Sequence, residues 1–205
     1  MTQRLWLLAM VFASVGLGVT WTRADDILTY AAREPLIIKG LTKTPIGARQ
    51  FCQSWPEECR PLEADVGPVP LSEATWHELR AVNDRFNSEV QPRTDAEFYS
   101  RREYWTYPDG FGDCEDYALA KRRALMELGW PGATLRLALV RQSNGDAHAV
   151  LVAITDLGDF VLDNLEPQVL GWDQTSYHFV KMQTAETLDR WVEVEDDRLL
   201  WVASR

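Results

Sequence analysis

Gly112-Asp113-Cys114-Glu115-Asp116-Tyr117-Ala118 opens the stretch that decides the fold. Asp113 is a residue type that caps helices, Cys114 follows as a first helical residue, and Asp116 falls three positions after the cap, as in a capping box. The run continues to about Leu128, where Gly129-Trp130-Pro131-Gly132 places a glycine just past the end and a proline soon after. The spacing therefore predicts a helix from Asp113 to about Leu128 with a cysteine in its first turn.

Beyond that helix the hydrophobic period switches to two. Thr134 to Arg141 alternates, Ser143-Asn144-Gly145-Asp146 reads as a hairpin turn, and Ala147 to Thr155 is an apolar strand. Asp156-Leu157-Gly158-Asp159 turns again into a third strand, Phe160 to Leu162, which ends at Asp163-Asn164. The expected core is α+β, the cysteine-bearing helix packed on an antiparallel sheet. Ser176 to Met182, with Trp191 to Glu195 and Arg198 to Val202 as further candidates, would extend that sheet.

Upstream, Ser72 and the repeat Trp76, Leu79, Val82, Phe86 predict an amphipathic helix ending near Val90, before Pro92. Asp95 to Gly112 is rich in aromatic residues and turns at Pro108-Asp109-Gly110, so it reads as a structured approach loop. Asp25 to Pro70 shows no sustained period and reads as an irregular wrap. No internal repeat or low-complexity stretch is present.

The 205 residues suffice for one compact domain, expected over 25–205, and 46% hydrophobic with 25% charged residues is an ordinary globular balance. A formal charge of -10 with no basic cluster argues against nucleic acid and anionic membrane surfaces. Met1 to Ala24 reads as a secretory signal peptide, with Arg4, the apolar run Leu5 to Val19, and small residues in Thr22-Arg23-Ala24. An uncleaved anchor is the alternative, because Thr20 and Trp21 bring the apolar run close to the lower length of a membrane span. The expected location is periplasmic or secreted, with no membrane attachment after cleavage.

Three cysteines in an oxidising compartment leave one over once two pair. Three pairings are open on paper. Cys52 and Cys59 sit seven positions apart in a polar segment broken by Pro56, where a small loop can close. That pairing leaves Cys114 as the free thiol, to be read as a nucleophile or as a small buried hydrophobe.

A thiol attacks only as thiolate, which a helix N-terminus and an imidazolium both favour. Asp113, Glu115 and Asp116 oppose this, unless the acids turn from the thiol and share a cation, for which an oxygen-only set suits calcium. The bland reading makes Asp113 a cap and Glu115 a dipole partner. Of the histidines, His148 opens the central strand beside a turn and is the candidate base, whereas His77 reads as helix surface and His178 sits on a late strand. Asp163 ends the neighbouring strand at the same end of the sheet, where a carboxylate can fix an imidazole's tautomer. The plain alternatives are a core histidine and a turn aspartate.

The run Trp105 to Tyr117 with Gly112-Asp113-Cys114-Glu115-Asp116-Tyr117-Ala118 and Lys121, followed by His148-Ala149-Val150-Leu151 and Val161-Leu162-Asp163-Asn164-Leu165, resembles the bacterial transglutaminase-like cysteine peptidases. The resemblance spans about Ala48 to Trp191. It implies a papain-like, transglutaminase-like fold and a Cys114, His148, Asp163 triad that hydrolyses a peptide bond through a thioester. In that family's best-understood branch a periplasmic protease cuts a surface adhesin, releases biofilm cells and needs calcium held by acids flanking the cysteine, positions filled here by Asp113 and Glu115. The implied partner is a protein or peptide substrate such as an adhesin; nothing in the sequence identifies a regulatory protein. Two other functions remain open on the same fold: a transamidase or amidase acting on wall peptides, and a non-catalytic periplasmic binding protein.

Overall fold

A computed structural model describes residues 33–63 and 66–198; the expected signal peptide and most of the candidate strand Arg198 to Val202 lie outside the described residues. The elements run β1 (Ile37–Thr42), α1 (Ile46–Ser54), α2 (Glu73–Glu89), β2 (Gln91–Pro92), α3 (Asp95–Phe98), β3 (Phe111–Gly112), α4 (Cys114–Glu127), β4 (Leu135–Arg141), β5 (Ala147–Thr155), β6 (Gly158–Leu162), β7 (Leu170–Gly171), β8 (His178–Gln183) and β9 (Trp191–Glu195). Among the described residues seven strands form one antiparallel sheet in the order β1-β9-β8-β4-β5-β6-β7. Strands β4 to β6 are the expected meander, β7 is a short further strand on β6 that the sequence did not announce, and β8 returns to the far side of β4 and extends the sheet through β9 to β1. The α+β class read from the sequence is the class observed.

Helix α4 lies on β5 and β4, and α2 lies on α4. Alternation divides the strands between two apolar clusters. Leu135, Leu137, Leu151, Ala153, Phe160 and Leu162 meet Leu119 and Leu125 of α4 on one face. Ala138, Val140, Val150, Val152, Val161 and Phe179 form the other. By the same alternation His148 falls in line with Val150, and Asp163 with Val161, so the two share a face at one end of the sheet.

Helix α4 ends as its sequence predicts. Gly129 takes a φ of 99°, and the N–H groups of Trp130 and Gly129 donate to the carbonyls of Leu125 and Met126, a Schellman closure. The capping box predicted at its start is not formed, since the Asp113 side chain makes no cap bond. Its carboxylate instead accepts from the Asp95 N–H at 3.2 Å, and Asp116 accepts from the Thr106 N–H at 2.8 Å. Both acids hold the approach loop. Helix α2 starts as expected, with Ser72 and Thr75 in a reciprocal cap.

The stretch before Ser72 is more regular than its pattern suggested, with β1 pairing to β9 and α1 lying under the approach loop. Strand β1 is an edge whose side chains are mostly exposed, so it carries no buried alternation to read. Cys52 and Cys59 are joined by a disulfide with a Cα separation of 5.5 Å. That loop carries Trp55, whose ring meets Tyr107 edge-on at 5.4 Å. The Arg123 guanidinium of α4 stacks 3.4 Å from the Tyr107 ring and pairs with Glu58. The disulfide segment, the approach loop and the cysteine-bearing helix are thereby braced on one another. Gly47 is required by the same packing, because an added Cβ would lie 2.3 Å from Trp105 Cδ1.

Candidate active site

Cys114 is a free, half-buried thiol in the first turn of α4. It shares a cleft of about 230 Å³ with His148, Asn164 and Leu165 on one side and Pro92, Arg93 and Thr94 on the other. The parallel pairing of β2 with β3 brings that second wall beside the cysteine. His148 and Asp163 are 4% and 2% exposed, and His148 Nε2 lies 2.7 Å from Asp163 Oδ1.

Asp163 is held from three sides. Oδ1 also accepts from the Leu165 N–H at 3.1 Å, and Oδ2 accepts from the Tyr177 hydroxyl. Burial pushes this carboxyl up. The hydrogen bond and charge of His148, then the Tyr177 and Leu165 donors, outweigh burial and hold it below the usual range. The Tyr177 hydroxyl is pushed up in turn, by burial and then by its bond to Asp163. The Tyr177 ring also tilts against the imidazole at 5.4 Å. Tyr177 was not among the residues singled out from the sequence, where a lone tyrosine near a late strand carries no signal.

The thiol's own surroundings differ from expectation. Glu115 does not turn from Cys114: its Oε2 accepts from the thiol at 3.1 Å. Burial, then the Glu115 charge and that hydrogen bond, push the Cys114 thiol well up, against a lowering contribution from the Ala149 N–H. The position at the helix N-terminus does not offset these contributions. One residue of helical rotation leaves a side chain as long as glutamate free to fold back, and so separates it less than the turn angle suggested.

Behind the cysteine the structure gathers Asp95, Asp113 and Asp116, with one carboxylate oxygen from each within 4.8 Å of the others. Of the two acids flagged in the sequence, Asp113 belongs to this group and Glu115 faces the thiol. Asp113 Oδ1 and Asp116 Oδ2 are buried without a hydrogen-bond partner among the described residues. Burial, then the Asp95 charge, pushes the Asp113 carboxyl up to about 6. Burial, opposed by the Thr106 N–H and reinforced by the Asp113 and Asp95 charges, pushes Asp116 up to about 8. Asp95 escaped the sequence reading because it lies eighteen positions before Asp113, at the start of α3. A crowded, oxygen-only, partly orphaned set of this kind fits a hard divalent cation such as calcium.

A family profile described as bacterial transglutaminase-like cysteine proteinase matches residues 38–199. Among solved structures, calcium-bound LapG of Legionella pneumophila is similar at a TM-score of 0.51 and 25% identity, over 66% of this chain and 83% of that one. EGTA-treated LapG of the same organism is similar at a TM-score of 0.50 and 28% identity, over 65% of this chain and 78% of that one. No curated protein matches. The likeness agrees with the transglutaminase-like fold implied by the sequence resemblance.

Proposed function

Given that the chain belongs to the bacterial transglutaminase-like cysteine proteinases, we propose that Cys114, His148 and Asp163 form its catalytic triad and cut a peptide bond of an exported protein substrate. The observation that carries this reading is the buried contact of 2.7 Å between His148 Nε2 and Asp163 Oδ1, made at the wall of the cleft that holds Cys114. With Nε2 occupied by Asp163, Nδ1 is the ring nitrogen left to take the thiol proton. The sulfur then attacks the scissile carbonyl carbon, and backbone N–H groups in the first turn of α4 offer hydrogen bonds to the resulting oxyanion. His148 returns the proton to the departing amine, leaving a thioester. Water, deprotonated by the same imidazole, hydrolyses the thioester and restores the thiol.

Asp95, Asp113 and Asp116 would hold a calcium ion, a reading supported by the orphaned oxygens of Asp113 and Asp116 and by the calcium-bound state of the similar LapG structure. When bound, the ion supplies positive charge that offsets the acids beside the nucleophile. A surface adhesin of the producing cell is the proposed substrate class, and the periplasm the proposed location.

Iodoacetamide labelling of the purified protein, with calcium and with EDTA, tests the triad. Cys114 should react faster than free cysteine at neutral pH, and His148→Ala should remove the advantage. A Cys114 no more reactive than free cysteine in calcium refutes the reading. Comparison of surface and released proteins from cells with Cys114→Ser then identifies the substrate.

A further inference from the structure

Lys121 is 0% exposed, yet among the described residues its ammonium makes no ion pair. Its partners are neutral. Nζ donates to Asn83 Oδ1 at 2.8 Å and to Asn87 Oδ1 at 2.7 Å, both on α2. The nitrogens of the same two amides point onward. Asn87 Nδ2 donates to the Asp163 carbonyl at 2.8 Å, and Asn83 Nδ2 to the Pro167 carbonyl at 3.0 Å.

An ammonium offers only donors, so it dictates which end of each amide faces it. With both oxygens turned to Lys121, both nitrogens must face the segment 163–167. A carbonyl there can accept only from the nitrogen end, so the lysine and the loop specify the same orientation from opposite sides. The charge also polarises each amide and strengthens the bond its nitrogen donates. The segment so held begins with Asp163 and includes Leu165, whose N–H bonds Asp163 Oδ1.

We infer that Lys121 is a positioning residue which, through Asn87 and Asn83, fixes the backbone of the 163–167 segment and so aims the Asp163 carboxylate at His148. The inference rests on the catalytic reading of Asp163. Burying an ammonium among neutral amides is unfavourable in itself. Its pKa is lowered to about 7 by burial, against the raising charges of Asp163 and Asp84. A methionine of similar length would fill the space without the charge but would leave the Asn83 and Asn87 oxygens without their donor, so the orientation of both amides is what the ammonium imposes.

The test uses the purified protein in calcium and reads the pH profile of Cys114 alkylation beside the thermal midpoint. Lys121→Met and Asn87→Ala should each slow alkylation at neutral pH by about tenfold, within the range for displacing a reacting group by a fraction of an ångström, and should move the profile toward alkaline pH. Val194→Ala, on β9 in the apolar cluster away from α2 and α4, should lower the midpoint and leave the profile in place. If Lys121→Met does not fold, Asn87→Ala carries the same expectation. Network variants that keep the wild-type profile while Asp163→Asn moves it overturn the inference alone. A profile unmoved by Asp163→Asn refutes the catalytic reading and the inference with it.

Discussion

Replacing Asp163 with asparagine separates the charge of this residue from its shape. The carboxylate accepts from His148 Nε2, the Leu165 N–H and the Tyr177 hydroxyl. Asparagine keeps the volume. Its oxygen can serve Leu165 while its nitrogen faces the Tyr177 oxygen, which can turn from donor to acceptor. What cannot be kept is the negative charge that stabilises an imidazolium. A hydrogen bond to a charged group contributes about 1.5–3 kcal/mol net. At roughly 1.4 kcal/mol per decade, the thiolate–imidazolium population should fall about 10- to 100-fold. The assay is the second-order rate of Cys114 alkylation at pH 7 in calcium. A fall of less than about twofold in a folded variant would refute the reasoning. Stability supplies a second readout, with a definite sign. Because the folded-state pKa of Asp163 is depressed, its contribution is present above the unfolded value near 4 and is lost as pH falls through the folded value. The stability difference between wild type and Asp163→Asn, measured by urea unfolding, should therefore shrink between pH 5 and pH 2.

Three further outcomes are expected. Calcium should raise the thermal midpoint and EDTA reverse it, with an excess of about 100 Kd adding about 2.7 kcal/mol; Asp95→Asn and Asp116→Asn should each abolish most of that response, and equal midpoints in calcium and EDTA count against the site. The double variant Cys52→Ser, Cys59→Ser should lose about 2.5 kcal/mol in the chain-entropy account of a short loop, read by urea unfolding, and unchanged stability would show that the loop is already closed by Trp55, Tyr107 and Arg123. Gly47→Ala forces a methyl into the Trp105 ring and should destabilise by about 1–3 kcal/mol, and a variant as stable as wild type would show that this ring gives way freely.

Much of the arrangement was legible because its signals are local. Helix α4 announces its own end through Gly129 and Trp130, β4 to β6 through alternation and two turns, and the disulfide through seven-residue spacing beside Pro56. His148 and Asp163 could be paired on paper because successive hairpin strands must bring their ends together.

The sequence by itself thus determined the cysteine-bearing helix, the meander and the residue types at their shared end, since caps, turns and hydrophobic period act within a few residues. Only the tertiary structure decided the rest. It paired β1 with β9, set Tyr177 on Asp163, brought Asp95 to Asp113 and Asp116, and folded Glu115 onto the thiol. Those contacts join distant segments or depend on rotamers, and the shifted pKa values of Cys114, Asp116 and Lys121 follow chiefly from burial. Desolvation belongs to the packed molecule, and no spacing along the chain encodes it.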